Sequence, residues 1–202
     1  MNDRGFLDLL FNTLLVFVFL FIVSSMMIEI EKKKEGIQTK AEYVITVTWE
    51  LDNPDDVDSW LRDPAGNIIW FRTKEFGLMH LDRDDLGLDN DKYILPDGTE
   101  VFYPYNQEIT TIRGIVPGMW VFNIHLYRKK EMSYQGTKVE VKMEKLNPKV
   151  TTVFIRHYTL HQQGDEVTVA RFNMSAAGEI IDMDEIQTAI VTDRLINTRA
   201  FP

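Results

Sequence analysis

The chain begins with an almost unbroken apolar run and then changes periodicity. Residues 6–28 read FLDLLFNTLLVFVFLFIVSSMMI, in which Asp8 is the only charged side chain. Residues 9–28 carry no charge, and at about 1.5 Å of rise per residue such a run spans roughly 30 Å, the thickness of a hydrocarbon core. The pattern predicts one transmembrane helix over residues 6–28, preceded by a short leader, residues 1–5. A signal peptide cleaved near Val23-Ser24-Ser25 is the competing reading. Against it stand an apolar stretch longer than the usual ~7–15 residues, an acid at its entrance and a leader whose side-chain charges cancel. Residues 29–41, EIEKKKEGIQTKA, are charged and polar and read as a solvated helix extension or spacer.

From Glu42 onward apolar and polar positions alternate with period two, as in half-buried strands. Tyr43, Ile45, Val47 and Trp49 line one face of the first such segment. Trp120, Phe122, Ile124 and Leu126 line another, and Val139, Val141 and Met143 a third. Asp63-Pro64-Ala65-Gly66-Asn67 and Pro96-Asp97-Gly98 supply turns between shorter apolar runs. Residues 150–161 and 166–172, joined by Gln162-Gln163-Gly164-Asp165, read as a further hairpin. The expected fold is thus a single membrane helix followed by an all-β domain, residues 42–175, with about seven short strands in an antiparallel β-sandwich of Ig-like or prealbumin-like type. In the segment 176–202, Ile180, Met183, Ile186, Ile190 and Leu195 suggest a helical stripe, while residues 187–192 suit a strand equally well.

Composition narrows the functions. Among 202 residues, 22 Lys+Arg against 31 Asp+Glu leave a formal charge of −9, which opposes a phosphate-neutralising surface and excludes nucleic acid as the expected partner. With no Cys there are no disulfides, thiolate nucleophiles or Cys-type zinc sites. No phosphate-cradling Gly loop, His-Glu-x-x-His motif or nucleophile elbow occurs, so an enzyme is not expected.

The residue with chemical potential in the membrane is Asp8. In one reading it sits in the first helical turn at headgroup depth, where the positive end of the macrodipole favours an anion. In the other it lies within the membrane, where an isolated carboxylate costs at least ~2.5–3.5 kcal/mol and is tolerated only against a partner or a water-filled path. At about 100° per residue, Asp8, Asn12, Leu15, Phe19 and Met26 share one face within about 60°, so Asn12 lies one turn from the carboxylate. Thr13 and Ser24 fall on another face. Polar groups on two faces of one span suggest contact with other helices, although a Thr or Ser hydroxyl can also bond its own backbone.

The opening RGFLDLLFNTLLVFVFLFI resembles the N-terminal helix of the MotB/ExbD/TolR class of stator subunits, including the related subunit of Zorya-type defence systems. The resemblance implies a cytoplasmic N-terminus in a bacterial inner membrane, an extracytoplasmic C-terminal domain, and Asp8 as the carrier of H⁺ or Na⁺; Asn12 and Thr13, by their positions in the span, are its supporting polar groups. It also implies a homodimer standing inside a pentameric multi-span MotA/ExbB-like partner and driving rotation. Lys32, Lys33 and Lys34 after the span, against Arg4 before it, point to the opposite orientation on charge alone. The outer domain resembles neither a peptidoglycan-binding OmpA-type domain nor the small ExbD-type domain. Through residues 44–49, the stretch DVDSWLRDPAG at 56–66 and VPGMW at 116–120, it is similar to bacterial YfaP-type β-sandwiches, which implies binding or scaffolding.

Other constellations are weaker. Asp82, Asp84, Asp85, Asp89 and Asp91 around Gly87 form a calcium candidate, although EF-hand spacing fails at Leu86 and Tyr93; a solvated acidic loop is the alternative. His157 and His161 lie four apart in a strand context, about 13 Å, too far to share an ion. Trp60, Trp70 and Trp120 are expected in the core rather than on a sugar.

Overall fold

The computed structural model describes residues 3–34, 40–130 and 135–191. They form two compact units, divided between Thr39 and Lys40. The first is helix α1, Asp3–Lys34, continuous through the apolar run and into the charged segment expected as a spacer. Its stretch Arg4–Ser24 has a mean hydropathy of 2.6, and every side chain in it is exposed. That is long and apolar enough for a membrane span or a signal sequence.

The second unit is built of antiparallel strands. They are β1 (Tyr43–Trp49), β2 (Asp56–Arg62), β3 (Ile68–Ile69), β4 (Glu75–Phe76), β5 (Met79–Arg83), β6 (Lys92–Ile94), β7 (Glu100–Phe102), β8 (Gln107–Ile112), β9 (Gly118–Arg128), β10 (Thr137–Lys145), β11 (Thr151–Leu160), β12 (Glu166–Met174) and β13 (Ile180–Asp184). One sheet has the order β11-β10-β1-β8-β5-β4 and another β13-β12-β9-β2-β3, while β6 and β7 make a separate hairpin. The alternation of β1 is exact in burial, with Tyr43, Ile45, Val47 and Trp49 inward. They meet Trp120, Phe122, Ile124 and Leu126 of β9 in one core shared by the two large sheets. Burying side chains of this size contributes roughly 1.5–3 kcal/mol each before entropy is counted.

Pairing departs from the sequence expectation in one respect. The segments on either side of Gln162-Gln163-Gly164-Asp165 do not form a hairpin: β11 pairs with β10, and β12 pairs with β9 and β13. The turn itself is as expected, with Asp165 accepting from the amides of His161 and Gln162 at 2.7 and 3.0 Å. A capped four-residue turn serves equally well to reverse a strand or to carry it across to the opposite sheet. Only the partners waiting at each sheet edge distinguish these outcomes.

The segment after residue 175 also resolves. Its strand is β13, at Ile180–Asp184 rather than at 187–192, and no helix forms over the stripe up to Ile190 among the described residues. Beyond β13 the chain crosses the outer face of the five-stranded sheet. Ile190 and Val191 pack with Trp60, Trp70 and Val121 in a second cluster, and both their amides donate to Glu166 Oε1 at 2.6 and 3.1 Å. Residues 192–202, with Leu195, lie outside the described part. Trp60, Trp70 and Trp120 are all buried.

β13 is held to β12 by a two-pronged ion pair, Arg171 Nε and Nη2 donating to Asp184 Oδ1 and Oδ2 at 2.7 and 2.8 Å. Arg171, and after it the amide of Ile186, hold the Asp184 carboxyl down at about 2. A depressed carboxyl contributes stability that is present above its unfolded value and lost as pH falls through the folded one. The protection of the β13 amides, taken relative to the intrinsic exchange rate at each pH, is therefore expected to fall between about pH 4 and pH 2 in the wild type, and this step should vanish in Asp184→Asn.

Candidate functional site

Two features hold unspent chemistry, one on the helix and one in the β domain. On α1, Asp8 is exposed and follows the helix start at Asp3 by about 7.5 Å along the axis. That is beyond the first turn, where the macrodipole acts. Asn12 is exposed on the same face. The Thr13 hydroxyl donates to Leu9 O at 2.8 Å, so its proton is satisfied within the helix.

The acidic loop, a calcium candidate by composition, does not converge on one point. Asp82 receives Thr111 Oγ1 at 2.6 Å and pairs with Arg113. Asp85 receives Arg83 Nη2 at 2.8 Å and the Gly87 amide at 3.1 Å. Asp89 faces Lys130 and Arg128 at 2.6 and 3.2 Å, and Lys130 holds its carboxyl below the ordinary value. Asp91 is buried. Strand alternation at the end of β5, followed by the short 3₁₀ turn Gly87–Asn90, sends neighbouring carboxylates to different partners.

Asp84 alone of that set joins a cluster, with Asp58 of β2 and Glu108 of β8. One carboxylate oxygen from each lies within 4.8 Å of the others. The cluster arises where the sheets meet along an open edge. β2 pairs with β3 only at Leu61 and Arg62, leaving its first half uncovered on that side. The backbone amide of Ser59 there donates to Glu108 Oε2 of the opposite sheet at 2.5 Å. The loop bearing Asp84 is brought in by Gly87, at φ +67, where a Cβ would lie 2.7 Å from Asp55 O.

Asp58 and Glu108 are 1% and 0% exposed, and Asp58 Oδ2 and Glu108 Oε1 have no hydrogen-bond partner among the described residues. Asp56, two residues along β2, is equally buried, with both oxygens in the same condition. The neighbouring basic side chains only partly compensate. Lys74 Nζ is 2.9 Å from Asp84 Oδ2, and His125 Nδ1, across the strand pair, is 3.8 Å from Asp58 Oδ2. Burial is the main cause of raised carboxyls throughout: Asp58 is pushed up despite His125, Glu108 well up, with Asp58 adding to it, and Asp56 up to about 7.

Sequence reading missed Asp56, Asp58 and Glu108. The available signal was DVDSWLR, a strand with acids at alternate positions, buried on both faces in the fold. The two surface His do not form a site: His157 lies 3.8 Å from Glu140 with its side chain 72% exposed. Comparison of the chain with protein-family models, with curated proteins and with solved structures returns no match in any of the three.

Proposed function

We propose that this protein is the ion-carrying subunit of a stator-like motor: a single-pass protein of the bacterial inner membrane, N-terminus in the cytoplasm, that couples H⁺ or Na⁺ flow past Asp8 to mechanical work. Two copies of α1 stand side by side within a pentameric MotA/ExbB-like multi-span partner, and the β domain, a sandwich of Ig-like or prealbumin-like type similar to the YfaP group, binds an extracytoplasmic structure. It performs no covalent catalysis. The observation that carries this reading is the placement of one acid, past the first turn of a helix whose apolar surface is exposed on all sides from Arg4 to Ser24. Such a surface requires lipid or other helices around it, and a carboxylate within it requires a partner or water. Asn12, one turn along the same face, supplies an amide to that partner. The alternative, a membrane-tethered binding domain with Asp8 capping its anchor, draws no support from the position of Asp8 beyond the first turn.

The test is isolation of the native complex in mild detergent. Native mass spectrometry is expected to find two copies of this chain with five of a multi-span protein; a solitary chain would refute the motor reading.

A further inference from the structure

We propose that the β domain holds a single hard divalent cation, calcium by size and donor chemistry, between Asp58, Asp84 and Glu108. The site is independent of the motor reading and takes only Asp84 from the loop of aspartates noted in the sequence. Calcium–oxygen distances of about 2.3–2.6 Å place two opposed ligands roughly 4.6–5.2 Å apart. Carboxylate oxygens already within 4.8 Å of one another can therefore all reach one ion without backbone movement. The donors are oxygens only, as a hard cation prefers.

Burial distinguishes this cluster from an ordinary acidic surface. Asp58 and Glu108 are at least nine-tenths buried, and each keeps one oxygen with no hydrogen-bond partner among the described residues. Buried carboxylates are normally paired or coordinate a metal. Glu108 is already oriented, because its other oxygen accepts the Ser59 amide. Both oxygens of Asp56, two residues along the same strand, are also buried with no hydrogen-bond partner among the described residues. Asp84, with its side chain 12% exposed, gives the ion a route from solvent. Bound there, a divalent cation would join two sheets and the loop before Gly87 on the side of β2 that β3 leaves uncovered.

The experiment uses the full chain in detergent, stripped with EDTA and titrated with CaCl₂ by calorimetry, with thermal unfolding followed by tryptophan fluorescence. One Ca²⁺ per chain is expected, with an affinity on the order of 0.1–1 mM or tighter, and a Tm that rises with Ca²⁺ and falls in EDTA. Glu108→Gln, which keeps an acceptor for Ser59, should abolish uptake, yet melt in EDTA no lower than the wild type, because it removes a charge that the ion would neutralise. Asp84→Asn, at the partly exposed ligand, gives the same loss of uptake should the buried variant fail to fold. Asp89→Asn should bind as the wild type does. The proposal is overturned if the wild type takes up no Ca²⁺ at millimolar concentration, whatever its Tm does with pH. Uptake that survives both Glu108→Gln and Asp84→Asn overturns it equally.

Discussion

Asp8→Asn is expected to stop ion movement completely while leaving the complex assembled. The amide has the shape of the carboxyl and can donate to or accept from the same neighbours, so packing against a partner helix is retained. It cannot take up and release a proton, nor balance the charge of a sodium ion. Because a buried carboxylate costs at least ~2.5–3.5 kcal/mol in the membrane, the variant complex should be as stable as the parent or more so. Loss of activity through failed assembly is thereby separated from loss through chemistry. The measurement is H⁺ or Na⁺ uptake into vesicles reconstituted with the purified complex. Thr13→Val is the control: its hydroxyl is spent on Leu9 O, so conduction should persist. Undiminished flux through Asp8→Asn would end the ion-carrier reading.

Asp55→Ala should destabilise the β domain by about 3–5 kcal/mol, the cost of breaking a buried ion pair from one side. Asp55 is fully buried in the loop before β2, and its carboxylate gathers three elements. Lys129 Nζ donates to it at 2.9 Å and the Lys130 amide at 2.6 Å, after the end of β9, and Thr137 Oγ1 donates to it at the start of β10. Truncation leaves the Lys129 ammonium, only 12% exposed, without its counter-charge. Urea unfolding can be followed selectively, since Trp49, Trp60, Trp70 and Trp120 are the chain's four tryptophans and all lie in the β domain. For an m-value near 2 kcal/mol/M the midpoint should drop by about 2 M. Adding Lys129→Met removes the orphaned charge, so the double variant should be less destabilised than the sum of the singles. A midpoint for Asp55→Ala within about 0.3 M of the parent would show that the network contributes little.

Much of this fold is legible from local pattern. The apolar run gives α1 because its length alone matches a membrane and nothing in it breaks a helix. β1 and β10 follow from alternation that burial reproduces; β9 shows the same alternation in residue type, but the fold buries it on both faces from Trp120 to Leu126; and the β6–β7 hairpin follows from Pro96-Asp97-Gly98 between its strands. β8 was not legible. In Gln107–Ile112 the inward positions are Glu108, Thr110 and Ile112, all buried, so two of the three core-facing side chains are polar and the apolar period is erased. The cation cluster was invisible for the same reason. A buried Glu reads as a surface residue until something buries it, whereas Asp82, Asp85 and Asp89 of the conspicuous run of aspartates are paired with Arg113, Arg83, and Arg128 and Lys130.

The division into an apolar helix and an alternating β domain, together with most of the turns, follows from the order of residues alone, because these features depend on neighbours within a few residues. Tertiary structure alone decided that β11 and β12 join different sheets, that Ile190 and Val191 cover the Trp60 face, and that Asp58, Asp84 and Glu108 meet. Each of those outcomes joins residues far apart in the chain, and their free energy comes from contacts that no local periodicity encodes.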